Sequence, residues 1–128
     1  RITVKWRVEN IGALDMYFQI GAHPAFYFPD FDATTEERCY FKFDNNKDLK
    51  YISPVEKGCV SPEVHSLELD ADGLMPVNTH TFDCDTYIFE NKQIKKVTLL
   101  NKDKKPHLSL EFNTPLVALW SPTKTKPD

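Results

Sequence analysis

The chain has 128 residues, which suits one domain with a real core, because a fold of that size hides roughly two-thirds of its unfolded surface. Its composition is that of a globular protein (41% hydrophobic, 27% charged), and a net charge of -3 with both signs interspersed offers no positive stripe to a nucleic-acid backbone. No apolar run reaches the length of a membrane span, and Cys39, Cys59 and Cys84 form no C-x-x-C, which argues against a disulfide framework or a zinc site and for reduced thiols in a cytoplasmic compartment.

The opening RITVKWRVEN alternates cleanly. Ile2, Val4, Trp6 and Val8 share one face, and Thr3, Lys5, Arg7 and Glu9 share the other, the period-2 signature of a half-buried strand. NIGALD (10–15) reads as a turn, and MYFQIGAH follows as a second strand, so residues 1–23 are expected to form an antiparallel hairpin. In that second strand Tyr17, Gln19, Gly21 and His23 occupy the face opposite Met16, Phe18, Ile20 and Ala22.

A Pro-bounded aromatic stretch leads into an acidic loop at PAFYFPDFDATTEER. Short strands are then expected at CYFKF (39–43), HSLEL (65–69), DTYIFE (85–90), KVTLLN (96–101), HLSLEF (107–112) and LVALWS (116–121). Residues 44–63 read as loop with one short strand at most, and NKDKKP (101–106) as a hairpin turn. With no helical periodicity, no repeat and nine prolines, the expected class is all-β, an antiparallel β-sandwich. LVALW is apolar on both faces, as a central strand with two neighbours would be. The chain opens inside a strand pattern and closes at SPTKTKPD, so residues 1–128 are expected to be one partial domain cut at both ends.

Two segments carry candidate chemistry. In GAHPAFYFP (21–29), Pro24 biases His23 to an extended backbone, small residues flank it, and Phe26, Tyr27 and Phe28 offer ring faces. Sugars pack their C–H faces on rings, and an imidazole exchanges protons near neutral pH. The alternative is a histidine packed in an aromatic core. In FDCDTYIFE (82–90), alternation groups Asp83, Asp85, Tyr87 and Phe89 on one face, so that either carboxylate could bind sugar hydroxyls or simply be solvated. Of the remaining histidines, His107 is expected to face solvent, His65 to pack beside Leu67 and Leu69, and His80 to lie in a loop. No histidine pair has metal-ligand spacing, so neither a metal nor another cofactor is expected.

V-x-N, a short turn and an aromatic strand ending in G-A-H-P-A-F, realised as VEN (8–10) and MYFQIGAHPAF (16–26), resemble the bacterial branch of the aldose 1-epimerase superfamily. DTYIF (85–89) and LVALWSP (116–122) resemble two further strands of that branch, in the same order. The resemblance implies a galactose mutarotase-like supersandwich that binds an aldose on its concave face. In that family a histidine protonates the ring oxygen and a glutamate takes the anomeric proton; the ring opens, the aldehyde carbon rotates, and the ring closes as the other anomer. By position His23 matches the acid, Asp85 the hydroxyl-binding aspartate with Asp83 competing for that role, and Gln19 and Phe26 line the sugar. Tyr27 stands where related proteins carry Asn. The family's glutamate strand would follow Trp120–Ser121, and strands bearing an arginine and a second histidine would precede Arg1. The expectation is therefore that this chain alone is inactive; the sequence assigns no oligomeric state.

Overall fold

The structure is a computed structural model that describes residues 1–29, 31–32, 34–56 and 58–122. The expected cut after the last strand concerns residues 123–128, which lie outside these. The described residues contain no helix. Eight strands follow in chain order: β1 (Cys39–Phe43), β2 (Lys50–Tyr51), β3 (His65–Ser66), β4 (Met75–Val77), β5 (Tyr87–Phe89), β6 (Lys96–Asn101), β7 (Pro106–Glu111) and β8 (Val117–Leu119). All pair antiparallel, as the all-β class requires.

The largest sheet has the order β4-β1-β6-β7, and β2-β3 and β5-β8 form two short pairs. Ile52 and Ile88 join those pairs by exchanging both backbone hydrogen bonds at 3.0 Å. The side chain of Gln93 reinforces the junction by imitating a neighbouring strand: it accepts from the Lys50 N–H at 2.8 Å and donates to the Lys50 carbonyl at 2.9 Å.

Alternation explains the core. Cys39, Phe41 and Phe43 of β1 stand on the face that also carries Met75 and Val77 of β4 and Val97 and Leu99 of β6, because their registers match. Phe43, Met75 and Val97 meet Phe89 of β5 across the gap, with Leu49 and Ile94 filling in from connections and Tyr51, Val117 and Leu119 packing around them. The packing is sandwich-like: one apolar face of each layer is buried against the other. A smaller cluster of Cys39, Val77 and Phe82 extends it, covered by Phe28.

The loops are held by side chains that cap free backbone groups. Asp44 Oδ1 accepts from the N–H groups of Lys95 and Lys96 at 2.9 and 3.1 Å, tying the end of β1 to the start of β6. Burial alone would raise that carboxyl, but the two donors prevail and hold it below the ordinary aspartate value. Asp70 Oδ1 likewise accepts from Asp72 and Leu74 in the turn before β4. Gly73 in that turn has φ 73°, and a Cβ there would meet Asn46 Nδ2 at 2.9 Å, so the position favours glycine twice over. Asn101 Oδ1 caps the β6–β7 turn through Asp103 and Lys105, so NKDKKP is the hairpin turn its sequence suggests.

The expected hairpin over residues 1–23 is not formed. Residues 1–27 are exposed throughout and belong to no strand. Their alternation gives an apolar face, but no sheet supplies a surface to bury it, and an isolated two-stranded hairpin is marginal in water. Among the described residues, this segment meets the body near Phe28, whose ring meets His107 edge-on at 5.2 Å.

Candidate functional site

Gln19, His23 and Phe26 all lie on the exposed arm of residues 1–27. His23 makes no hydrogen bond, ion pair or ring contact with the described residues, so the aromatic surround expected for it is not assembled. Phe26 is exposed, and only the end of GAHPAFYFP packs, through Phe28. The reason is the one that leaves the hairpin unformed: a strand that finds no sheet cannot project its side chains onto a common face.

FDCDTYIFE is a strand only over Tyr87–Phe89. Residues 79–84 instead form turns, closed by hydrogen bonds from Asp83 N to the His80 carbonyl at 3.0 Å and from Asp85 N to the Phe82 carbonyl at 2.9 Å. Asp83 and Asp85 therefore do not share a strand face with Phe89, which is buried in the core. Asp85 has φ 70°, a left-handed conformation that aspartate tolerates better than most residues. Its carboxylate is exposed and accepts one long bond, from Thr86 Oγ1 at 3.4 Å. No contact joins Asp85 or Asp83 to His23, Gln19 or Phe26 among the described residues.

What the turns do bring together is a polar cluster around His80. Its Nδ1 lies 2.8 Å from Asp83 Oδ2. Asn78 Oδ1 accepts the His80 N–H at 2.8 Å, and Thr79 Oγ1 donates to the Glu36 carboxylate at 2.9 Å. The hydrogen bond to Asp83 and its charge raise the His80 imidazole above its ordinary value, with Glu36 adding to the effect. Such a pair can carry a proton, and both of its side chains are exposed. Sequence reasoning passed over it, although a histidine three residues before an aspartate in a Thr/Asn-rich turn was the available signal.

Beside this cluster runs a file of buried and half-buried rings. Tyr51 lies 4.5 Å from Tyr87 and 5.3 Å from His65, and Tyr87 meets Phe82 edge-on at 5.6 Å. His65 thus packs, as its strand position implied, though on Tyr51. Burial pushes the Tyr87 hydroxyl far above the ordinary range, and Cys84, Tyr51 and Asp83 add to this. Burial also raises Tyr51, with Cys84 and Glu68 contributing. A shallow cleft of about 70 Å³ opens along β2 and β5, lined by Lys50, Ile88, Glu90 and Gln93 among others, and is too small for a sugar ring to sink into.

Among the described residues no three His, Cys, Asp or Glu side chains stand together to hold a metal ion, and no helix is long and apolar enough to cross a membrane. All three cysteines are free thiols. No family model, curated protein or solved structure matches the chain.

Proposed function

We propose that the chain supplies part of a carbohydrate site of the aldose 1-epimerase kind, within a galactose mutarotase-like sandwich, and does not turn over sugar by itself. The observation that carries this reading is the pairing of β5 with β8. The segments DTYIF and LVALWSP, far apart in sequence and each similar to that family, lie side by side, with Tyr87 opposite Leu119 and Phe89 opposite Val117. The case for His23 as the acid that protonates the ring oxygen is its place in GAHPAF. Among the described residues it has no carboxylate partner and no base across from it, so the two proton transfers of ring opening lack a route there. The three free thiols support a reducing, cytoplasmic setting.

Two measurements test this. Freshly dissolved α-D-glucose should mutarotate no faster with the chain than in buffer; acceleration that disappears in His23→Ala would refute the inactivity. Titration of D-galactose or D-glucose should move amide resonances of β5 and β8 together with those of residues 19–26. If no amide moves at saturating sugar, the chain has no carbohydrate role.

One observation favours a second reading, a non-catalytic carbohydrate-binding module. The Tyr51 and Tyr87 rings, 4.5 Å apart and tilted at 47°, with Asp83 and Glu68 close enough to act on their hydroxyls, provide rings and carboxylates of the sort sugars engage. Under that reading His23→Ala leaves sugar affinity unchanged and the shifts cluster on Tyr51 and Tyr87.

A further inference from the structure

We propose that Asp72–Gly73 is a site of slow self-modification, the conversion of Asp72 to isoaspartate, gated by opening of the turn that leads into β4. The chemistry is independent of any sugar site. No other aspartate or asparagine in the sequence is followed by glycine. The reaction joins the amide nitrogen of the following residue to the side-chain carboxyl carbon, and glycine puts no side chain in the way of that approach. The bond formed is Gly73 N to Asp72 Cγ. The bond broken is Cγ to the carboxyl hydroxyl, which leaves as water with the amide proton. Water then opens the cyclic imide at the former backbone carbonyl, and the main chain runs on through Cβ. Reactant and product contain the same atoms, so no other reagent is needed.

The folded turn opposes both partners of that step. Gly73 N–H donates to the Asp70 carbonyl at 2.9 Å, which engages the proton that must leave and fixes the nitrogen that must attack. Asp70 closes the turn further, donating its N–H to the Leu74 carbonyl at 2.8 Å and accepting at Oδ1 from Asp72 N and Leu74 N. The Asp72 carboxylate is held at Oδ2 by Lys104 Nζ, which also lies 3.8 Å from Asp70 Oδ2 and 5.2 Å from the centre of the Tyr40 ring. Lys104 thus reaches from the β6–β7 turn across β1 and pins the carboxyl that would be attacked.

These restraints are a gate and not a wall. Ala71 and Asp72 are exposed, so the turn can open locally without disturbing the core, and local openings of that kind lie at the low end of the free-energy scale. The product does not fit the closed turn. Isoaspartate adds one methylene to the main chain immediately before β4, where Met75 and Val77 are each 2% exposed and stand opposite Phe41 and Cys39 of β1. A close-packed interior registers a displacement of that size.

The test is to hold the chain in neutral buffer for weeks, with and without denaturing urea, and to separate the peptide containing residue 72 from its isomer of equal mass. In urea the isomer should form about tenfold faster or more, because opening no longer limits the reaction. Lys104→Met keeps an aliphatic stem over Tyr40 and removes the ammonium. It should speed the folded chain about two- to fivefold, the range an exposed ion pair supplies, while Lys104→Arg should not. Circular dichroism confirms that both variants fold, as substitutions at so exposed a side chain should. No isomer at residue 72 in urea, equal rates with and without urea, or a Lys104→Met rate equal to that of the unaltered chain would each overturn the proposal.

Discussion

His80 and Asp83 illustrate what a single pair can and cannot do. The carboxylate favours the charged imidazole, so the folded state binds that proton more tightly than the unfolded chain. The resulting stabilisation is fully present below the imidazole's unfolded value and is lost as pH rises through the raised folded value. Both side chains are exposed, so the effect on stability is small and falls further with added salt. The titration itself is easy to read. The His80 ring protons should show a midpoint above the ordinary 6.5, and Asp83→Asn should bring it down. An unchanged midpoint in that variant would mean the pair does not persist in solution. Cys39 is the opposite kind of residue, buried in the sheet with its thiol pushed up to about 11 by burial, against which the Arg38 charge works only in part. It is a packing group, not a nucleophile.

Among the elements, β1 and β6 carry the fold and β5 locks it. Phe89 is 1% exposed and touches the large sheet through Phe43, with ring centroids 5.5 Å apart. Phe89→Ala should cost about 3–5 kcal/mol, measured as a lower urea midpoint, because the cavity opens between packed layers that relax into it only in part. For a domain whose whole stability is about 5–15 kcal/mol, that change brings it near unfolding at room temperature. The strands at 39–43 and 96–101 were legible to the residue, since each carries its own alternation and meets a long neighbour. β4 was missed. Met75–Val77 is three residues long with Pro76 at its centre, and only its place on the sheet edge makes the proline tolerable. The hairpin at residues 1–23 fails for the converse reason: its pattern is the cleanest in the chain, but pattern creates a strand only where another strand accepts it.

The molecule as a whole divides into a packed body and an arm that adds nothing to it. Deleting residues 1–26 should leave the melting temperature of a dilute sample within about 3 °C of the intact chain, because no core contact is removed. Calorimetry of the intact and shortened chains checks this. The candidate site was less legible than the fold for the same reason of scale. A motif such as GAHPAF names residues, whereas a site requires that distant segments be brought to one place. Here Asp85 went to a turn and His23 stayed on the arm.

The register of β6 with β7 slips between Leu99 and Leu100: Leu99 faces Leu108 while Leu100 faces Pro106, and His107 is the residue left over. A regular ladder would have given His107 a partner and turned its ring with the strand. Instead the surplus residue turns its imidazole toward the arm, against the Phe28 ring, with Nε2 3.3 Å from the Tyr27 carbonyl. One extra amino acid in an edge strand thus acts as a mooring post. It holds the chain at Tyr27 and Phe28, the point from which residues 1–26 leave the body.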